Sequence, residues 1–135
     1  MCEEGCVDGV DEIYFAHSSG FMDFGGISSV LGPMQAGITS FKVEIQGKGG
    51  HSAWPHLSAS PVPAATSCIR QIADIMSRDI DPFQLGVISV CKLTTGSAAN
   101  VIPGIASFEG SIRYMCPEVH EKICDRLKTI VKNTC

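Results

Sequence analysis

From residue 39 to the end of the chain, apolar residues switch between a period of two and a period of three to four, and the order of those periods leaves few folds open. Phe41, Val43 and Ile45 alternate with Lys42, Glu44 and Gln46, the pattern of a strand with one face buried. Gly47-Lys48-Gly49-Gly50 interrupts it. Ser60-Pro61 predicts a helix start, a hydroxyl at the N-cap and proline at the first helical position. Val62, Ala65, Ile69, Ile72 and Met76 then form one stripe, which Asp79-Ile80-Asp81-Pro82 ends. Leu85 to Leu93 is apolar and β-branched and predicts a strand; Thr94 to Gly104 is a connection holding Gly96, Asn100 and Pro103. Ala106, Phe108, Gly110, Ile112 and Tyr114 alternate with Ser107, Glu109, Ser111 and Arg113, a second half-buried strand with Arg113 on its polar face. Pro117 opens a second helix with the stripe Val119, Ile123, Leu127, Ile130 and Val131. Glu118 and Glu121 lie early in it and Lys128 and Lys132 late, as the helix dipole favours.

Strand, helix, strand, strand, helix is a βαββαβ split unit short of its last strand. The expected class is therefore α+β: a ferredoxin-like sandwich, an antiparallel sheet with two helices on one face and the fourth strand truncated near Cys135. Residues 1–36 differ in kind. They are rich in glycine and serine; Val10 to Ala16 is the one candidate strand, and 18–36 reads as loop. At 135 residues, 44% hydrophobic and 18% charged, the chain has the make-up of one globular domain. A net charge of −4 and ten scattered basic residues argue against nucleic acid and anionic membrane partners. No apolar run approaches the roughly 18 residues that cross a bilayer, and the acidic N-terminus has no signal-peptide order. Seven cysteines, odd in number and without a CxxC pair, predict no disulfide framework and a reducing, cytoplasmic setting. Cys68 and Cys91 fall in apolar segments and read as small hydrophobes; Cys2 and Cys6 lack the second close pair a zinc knuckle needs.

Four histidines are the first candidates for chemistry. His51 and His56 bracket Ser-Ala-Trp-Pro behind the glycine run, either as ordinary surface histidines or as imidazoles presented by a tight backbone turn. His17 ends the apolar run Ile13-Tyr14-Phe15-Ala16, as a capped residue or a metal ligand. His120 stands beside Glu121 but has no second histidine to complete HExxH, and reads as part of a solvated helix face. Gly47-Lys48-Gly49-Gly50 lacks the spacing of a phosphate loop. These residues by themselves reach a small α+β domain with an exposed histidine loop, and no reaction.

Three segments, in order, resemble a known family. They are Asp8-Gly9-Val10-Asp11-Glu12-Ile13 ending in His17 with Gly25 beyond it; Gly47-Lys48-Gly49-Gly50-His51-Ser52-Ala53-Trp54-Pro55-His56; and Asn100-Val101-Ile102-Pro103 followed by Gly110-Ser111-Ile112-Arg113. Together they are similar to the metallopeptidase family of hippurate hydrolase, N-acyl amino acid amidohydrolase and the auxin-conjugate hydrolases. The resemblance implies a two-metal catalytic domain interrupted by a lid that also makes a homodimer, with residues 1–36 on the catalytic side and 37–135 as the lid. It implies hydrolysis of amide bonds of N-acyl amino acids or short peptides, with two zinc or manganese ions activating water. His17 matches a metal ligand. His51 matches the lid histidine that steadies the oxyanion in the partner subunit's active site. Asn100 and Arg113 match residues that hold the substrate, Arg113 being suited to a carboxylate. The family's Cys-Gly-His-Asp ligands, catalytic Glu-Glu pair and final histidine ligand have no match here; Glu3-Glu4 sits too close to His17 to be that pair. The expectation is a lid and dimerisation fragment that binds no metal alone. The competing readings are a non-catalytic ferredoxin-like dimerisation module and an amino-acid-binding module. Convergence of His51, Asn100 and Arg113 on one side separates them.

Overall fold

A computed structural model describes residues 2–135. Three ten-residue strands, β1 (Gly37–Gln46), β3 (Gly86–Thr95) and β5 (Ile105–Tyr114), form an antiparallel sheet in the order β1-β5-β3. Two two-residue strands, β2 (Gly50–His51) and β4 (Val101–Ile102), pair separately. Helix α1 (Val62–Arg78) follows β2, and α2 (Pro117–Thr134) follows β5. The α+β ferredoxin-like arrangement expected from the period changes is the one observed.

Alternation decides which sheet face carries the helices. On β5, Ala106, Phe108 and Ile112 are fully buried, while Ser107, Glu109, Ser111 and Arg113 point to the other face. The helices close the core with Cys68, Ile72 and Ile75 of α1 and Val119, Ile123 and Ile130 of α2. The α2 stripe is the expected one. The α1 stripe is rotated: the buried line runs Ala65, Cys68, Ile72, Ile75, and Val62, Ile69 and Met76 flank it half-buried. Cys68 is fully buried where the neighbouring Ile69 is only half-buried. The helix starts one residue later than expected, with the Val62 N–H donating to Ser60 Oγ at 3.4 Å. An ion pair from Arg126 Nε to Asp79 Oδ2 at 2.9 Å ties the end of α1 to α2.

Three local expectations are corrected. Val10 to Ala16 forms no strand: no segment supplies ladder partners, and Ile13, Tyr14 and Phe15 stay exposed. Cys91 is exposed, not a core hydrophobe, because the alternation of β3 turns Ile88 and Val90 toward the helices and Val87, Ser89 and Cys91 to the other face. His120 is not on a solvated face. It is half-buried, its ring lies 4.4 Å from that of Tyr114, and its Nε2 is 3.0 Å from Thr39 Oγ1. Helix α2 leans its first turn on the β1–β5 end, so position 120 meets the sheet.

The chain divides into two compact units, one up to Val30 and one from Leu31 to Cys135. The first holds a single short 3-10 turn, Cys2–Glu4, and is otherwise irregular. No helix of the described residues is long and apolar enough to cross a membrane.

Candidate functional site

The glycine run after β1 brings two loops together at one end of the sheet. The Gly47 N–H donates to Gly104 O at 2.8 Å, and Lys48 and Ala59 exchange backbone hydrogen bonds, each 2.8 Å. A Cβ at Gly47 would stand 2.3 Å from Ala59 O, and one at Gly49 would stand 2.9 Å from Ile102 O. Glycine is required here by the closeness of neighbouring backbone. Gly50 and His51 then pair with Ile102 and Val101, and the Ser52 N–H donates to Asn100 O at 3.1 Å. The histidine loop and the Asn100-Val101-Ile102-Pro103 segment are thus one structure, stitched by four residues of ladder that period-counting does not detect.

Within this structure His51 is exposed but oriented. The Ala53 N–H donates to His51 Nδ1 at 3.1 Å, the Trp54 N–H donates to His51 O at 3.0 Å, and the Trp54 ring lies 5.5 Å from the imidazole. An accepting Nδ1 leaves the proton of the neutral ring on Nε2. His51 therefore presents an N–H donor outward from a loop braced at both ends. Sequence reasoning does not reach Trp54 or the Ala53 amide; the available signal is Trp54-Pro55, which begins three residues after His51. Asn100 is exposed beside it, and a shallow cleft of about 480 Å³ lined by Gly49, Gly50, Ser97, Ile102 and Gly104 adjoins both.

Arg113 lies elsewhere. It is exposed on the helix-free face near the far end of β5, in register with Ile38 of β1 and Val87 of β3. Eight residues of strand, roughly 26 Å, separate it from Ile105 at the His51 end. One chain brings His51 and Asn100 together and holds Arg113 apart. His17, in the first unit, is exposed; its Nδ1 lies 2.6 Å from Ser18 O, and its ring meets Phe15 edge-on at 6.3 Å. Nearby, the Glu12 carboxylate accepts from the Tyr14 hydroxyl and pushes that phenol up. Among the described residues no three His, Cys, Asp or Glu side chains are grouped to hold a metal ion.

Residues 34–135 match the family model of the peptidase dimerisation domain. The chain is 34% identical over 132 residues to N-acetyl-L-cysteine deacetylase of Bacillus subtilis, which covers 98% of this chain and 32% of that protein. It is 34% identical over 135 residues to thermostable carboxypeptidase 2 of Saccharolobus solfataricus, covering 100% and 34%. The chain thus spans about a third of the length of the curated relatives it matches. Among solved structures, a dinuclear metal binding peptidase of Bacillus subtilis superposes with a TM-score of 0.71 at 23% identity, over 98% of this chain and 32% of the other, and shares its fold. With that match covering both helices and every strand of the sheet, the chain belongs to the peptidase dimerisation domain family.

Proposed function

We propose that this chain acts as the lid and dimerisation part of a metal-dependent amidohydrolase that cleaves amide bonds of N-acyl amino acids or short peptides, working as a homodimer. The observation that carries the reading is the orientation of His51: Nδ1 is occupied by the Ala53 amide, so Nε2–H is the free donor. A fixed N–H aimed out of a braced loop suits the oxygen that gains negative charge when water adds to an amide carbonyl. Asn100, a few residues away across the ladder, is suited to hold the carbonyl side of the substrate, and Arg113 to pair a substrate carboxylate. In this reading residues 1–36 belong to the catalytic domain and His17 is one ligand of its metal pair, zinc or manganese. The described residues do not themselves build that centre, so the chain's own part is to bind, orient and stabilise charge. The relatives, a deacetylase and a carboxypeptidase, support the substrate class.

The separation of His51 from Arg113 favours one second reading, a dimerisation module in which the two residues never share a substrate. Two subunits reconcile the separation with catalysis: His51 of one lid and Arg113 of the other can meet at one site. The test uses the polypeptide that joins this domain to the metal centre. His51→Ala and Arg113→Ala should each lower kcat/KM by about 100-fold or more. Random mixing of the two variants should restore roughly a quarter of wild-type activity, since half the dimers are mixed and each has one intact composite site. Single variants that lose activity without any recovery on mixing would refute sharing between subunits. Single variants with full activity would favour the module.

A further inference from the structure

Away from the loop site, the far end of the helix-free face carries a cation flanked by apolar side chains. Arg113 is in register with Ile38 on one side and Val87 on the other. All three are exposed on the same face. Residues directly opposite on antiparallel strands have Cβ atoms about 5 Å apart, so the stem of Arg113 rises between two branched apolar side chains. The next row along the face is Ser40, Ser111 and Ser89, hydroxyls without charge. The row after it holds Glu109, whose Oε1 is 3.2 Å from Lys92 Nζ; beyond that, Glu44 Oε2 is 3.9 Å from Lys42 Nζ. The carboxylates of this face are thus matched by lysines. Among the described residues no hydrogen bond or ion pair engages the Arg113 side chain. An unmatched cation between two exposed β-branched residues suits an anion that carries an apolar body.

We propose that Ile38, Arg113 and Val87 form the subsite for the leaving amino acid and select one with an apolar side chain. The inference rests on the amidohydrolase reading above and adds to it which amino acids the site accepts. All three residues belong to one chain, so the subsite stays whole however two subunits share the rest. The α-carboxylate and the side chain of an amino acid leave the same carbon. A carboxylate paired with the guanidinium therefore lays the side chain on Ile38 or Val87. A branched or aromatic side chain covers that exposed apolar surface, and both surfaces leave water. Glycine leaves it uncovered. A lysine side chain brings a second cation toward Arg113 and finds the carboxylates of this face already matched.

The test titrates the isotope-labelled chain with N-acetyl-L-leucine, N-acetylglycine and N-acetyl-L-leucinamide and follows backbone amides by NMR. N-acetyl-L-leucine should shift the amides of Ile38, Val87 and Arg113. It should bind about 10-fold more tightly than the other two, which lack the side chain and the carboxylate respectively. Ile38→Thr combined with Val87→Thr keeps β-branched residues on exposed strand positions. That double variant should bring N-acetyl-L-leucine down to the level of N-acetylglycine. In the polypeptide that joins this domain to the metal centre, the same preference should appear in kcat/KM. Equal binding of the leucine and glycine derivatives, or shifts confined to other residues, would overturn the subsite. So would a double variant that lowers the mass in solution from dimer to monomer, which would assign the apolar pair to the subunit interface. Hydrolysis of both derivatives at equal kcat/KM would overturn the subsite and leave the amidohydrolase reading intact. No hydrolysis of any N-acyl amino acid, with the binding preference present, would overturn that reading and leave a subsite for apolar amino acids.

Discussion

At the scale of single residues, burial and hydrogen-bond partners decide what each histidine and cysteine can do. His120 and His51 are both preceded by sequence that leaves their roles open. One is packed between Tyr114 and Thr39 as part of the fold, and the other stands exposed with one nitrogen already engaged. The cysteines divide similarly, and the division has a consequence for pH. Burial raises the Cys68 and Cys124 thiols above their ordinary value of 9.0. The native chain therefore keeps protons that the unfolded chain gives up, and stability falls as pH rises past 9.0 toward the raised values. Urea midpoints of the reduced chain should drop between pH 8 and about 10. Cys124→Ala should show a smaller drop than the parent over the same range. Equal drops would mean that other groups carry the alkaline effect.

At the scale of elements, strand β5 is the spine: both neighbours pair with it, and its alternation separates the core face from the open face. Gly110 lies at its middle. A Cβ there would stand 2.1 Å from Ser89 O and 2.6 Å from Phe41 Cζ. The Ser89 carbonyl and the Phe41 ring together occupy the place a side chain would take, which explains a glycine within a strand whose other inward positions are apolar. Gly110→Ala should destabilise the chain by about 1–3 kcal/mol, as overpacking of a filled core does. Adding Phe41→Ala should relieve part of that loss, measured as non-additivity in a double-mutant cycle. Strict additivity would show that Phe41 is not what Gly110 accommodates. The small β2–β4 ladder does for the site what β5 does for the core, because it fixes His51 beside Asn100 with two residues on each side.

At the scale of the whole molecule, the sheet has three strands and so two outer edges, β1 and β3, each with unpaired backbone groups along ten residues. Such edges are templates for pairing with another strand, and two-fold dimers are the commonest soluble oligomers. Exposed Ile38 and Val87 on either side of Arg113 add apolar surface to the helix-free face. Light scattering over a concentration series should give a mass near twice 14.3 kDa. A monomer at every concentration would remove the basis for bringing His51 of one lid to Arg113 of another.

Local pattern alone was enough for the order of the three long strands and two helices and for the buried face of β1, β5 and α2, because the two periods belong to local backbone geometry. Phe41, Val43 and Ile45 on β1, the β5 alternation and the α2 stripe needed no tertiary information. The sequence also carried the family, through motifs spread over three segments. What it could not determine depends on contacts between residues distant along the chain. The rotation of α1 onto Cys68 and the packing of His120 on Tyr114 are set by how the helices seat. Only the three-dimensional arrangement decides that His51 meets Asn100 through a short ladder while Arg113 lies a strand's length away. Local periodicity reports what a residue faces; which distant residue it meets is settled by pairing register and helix seating.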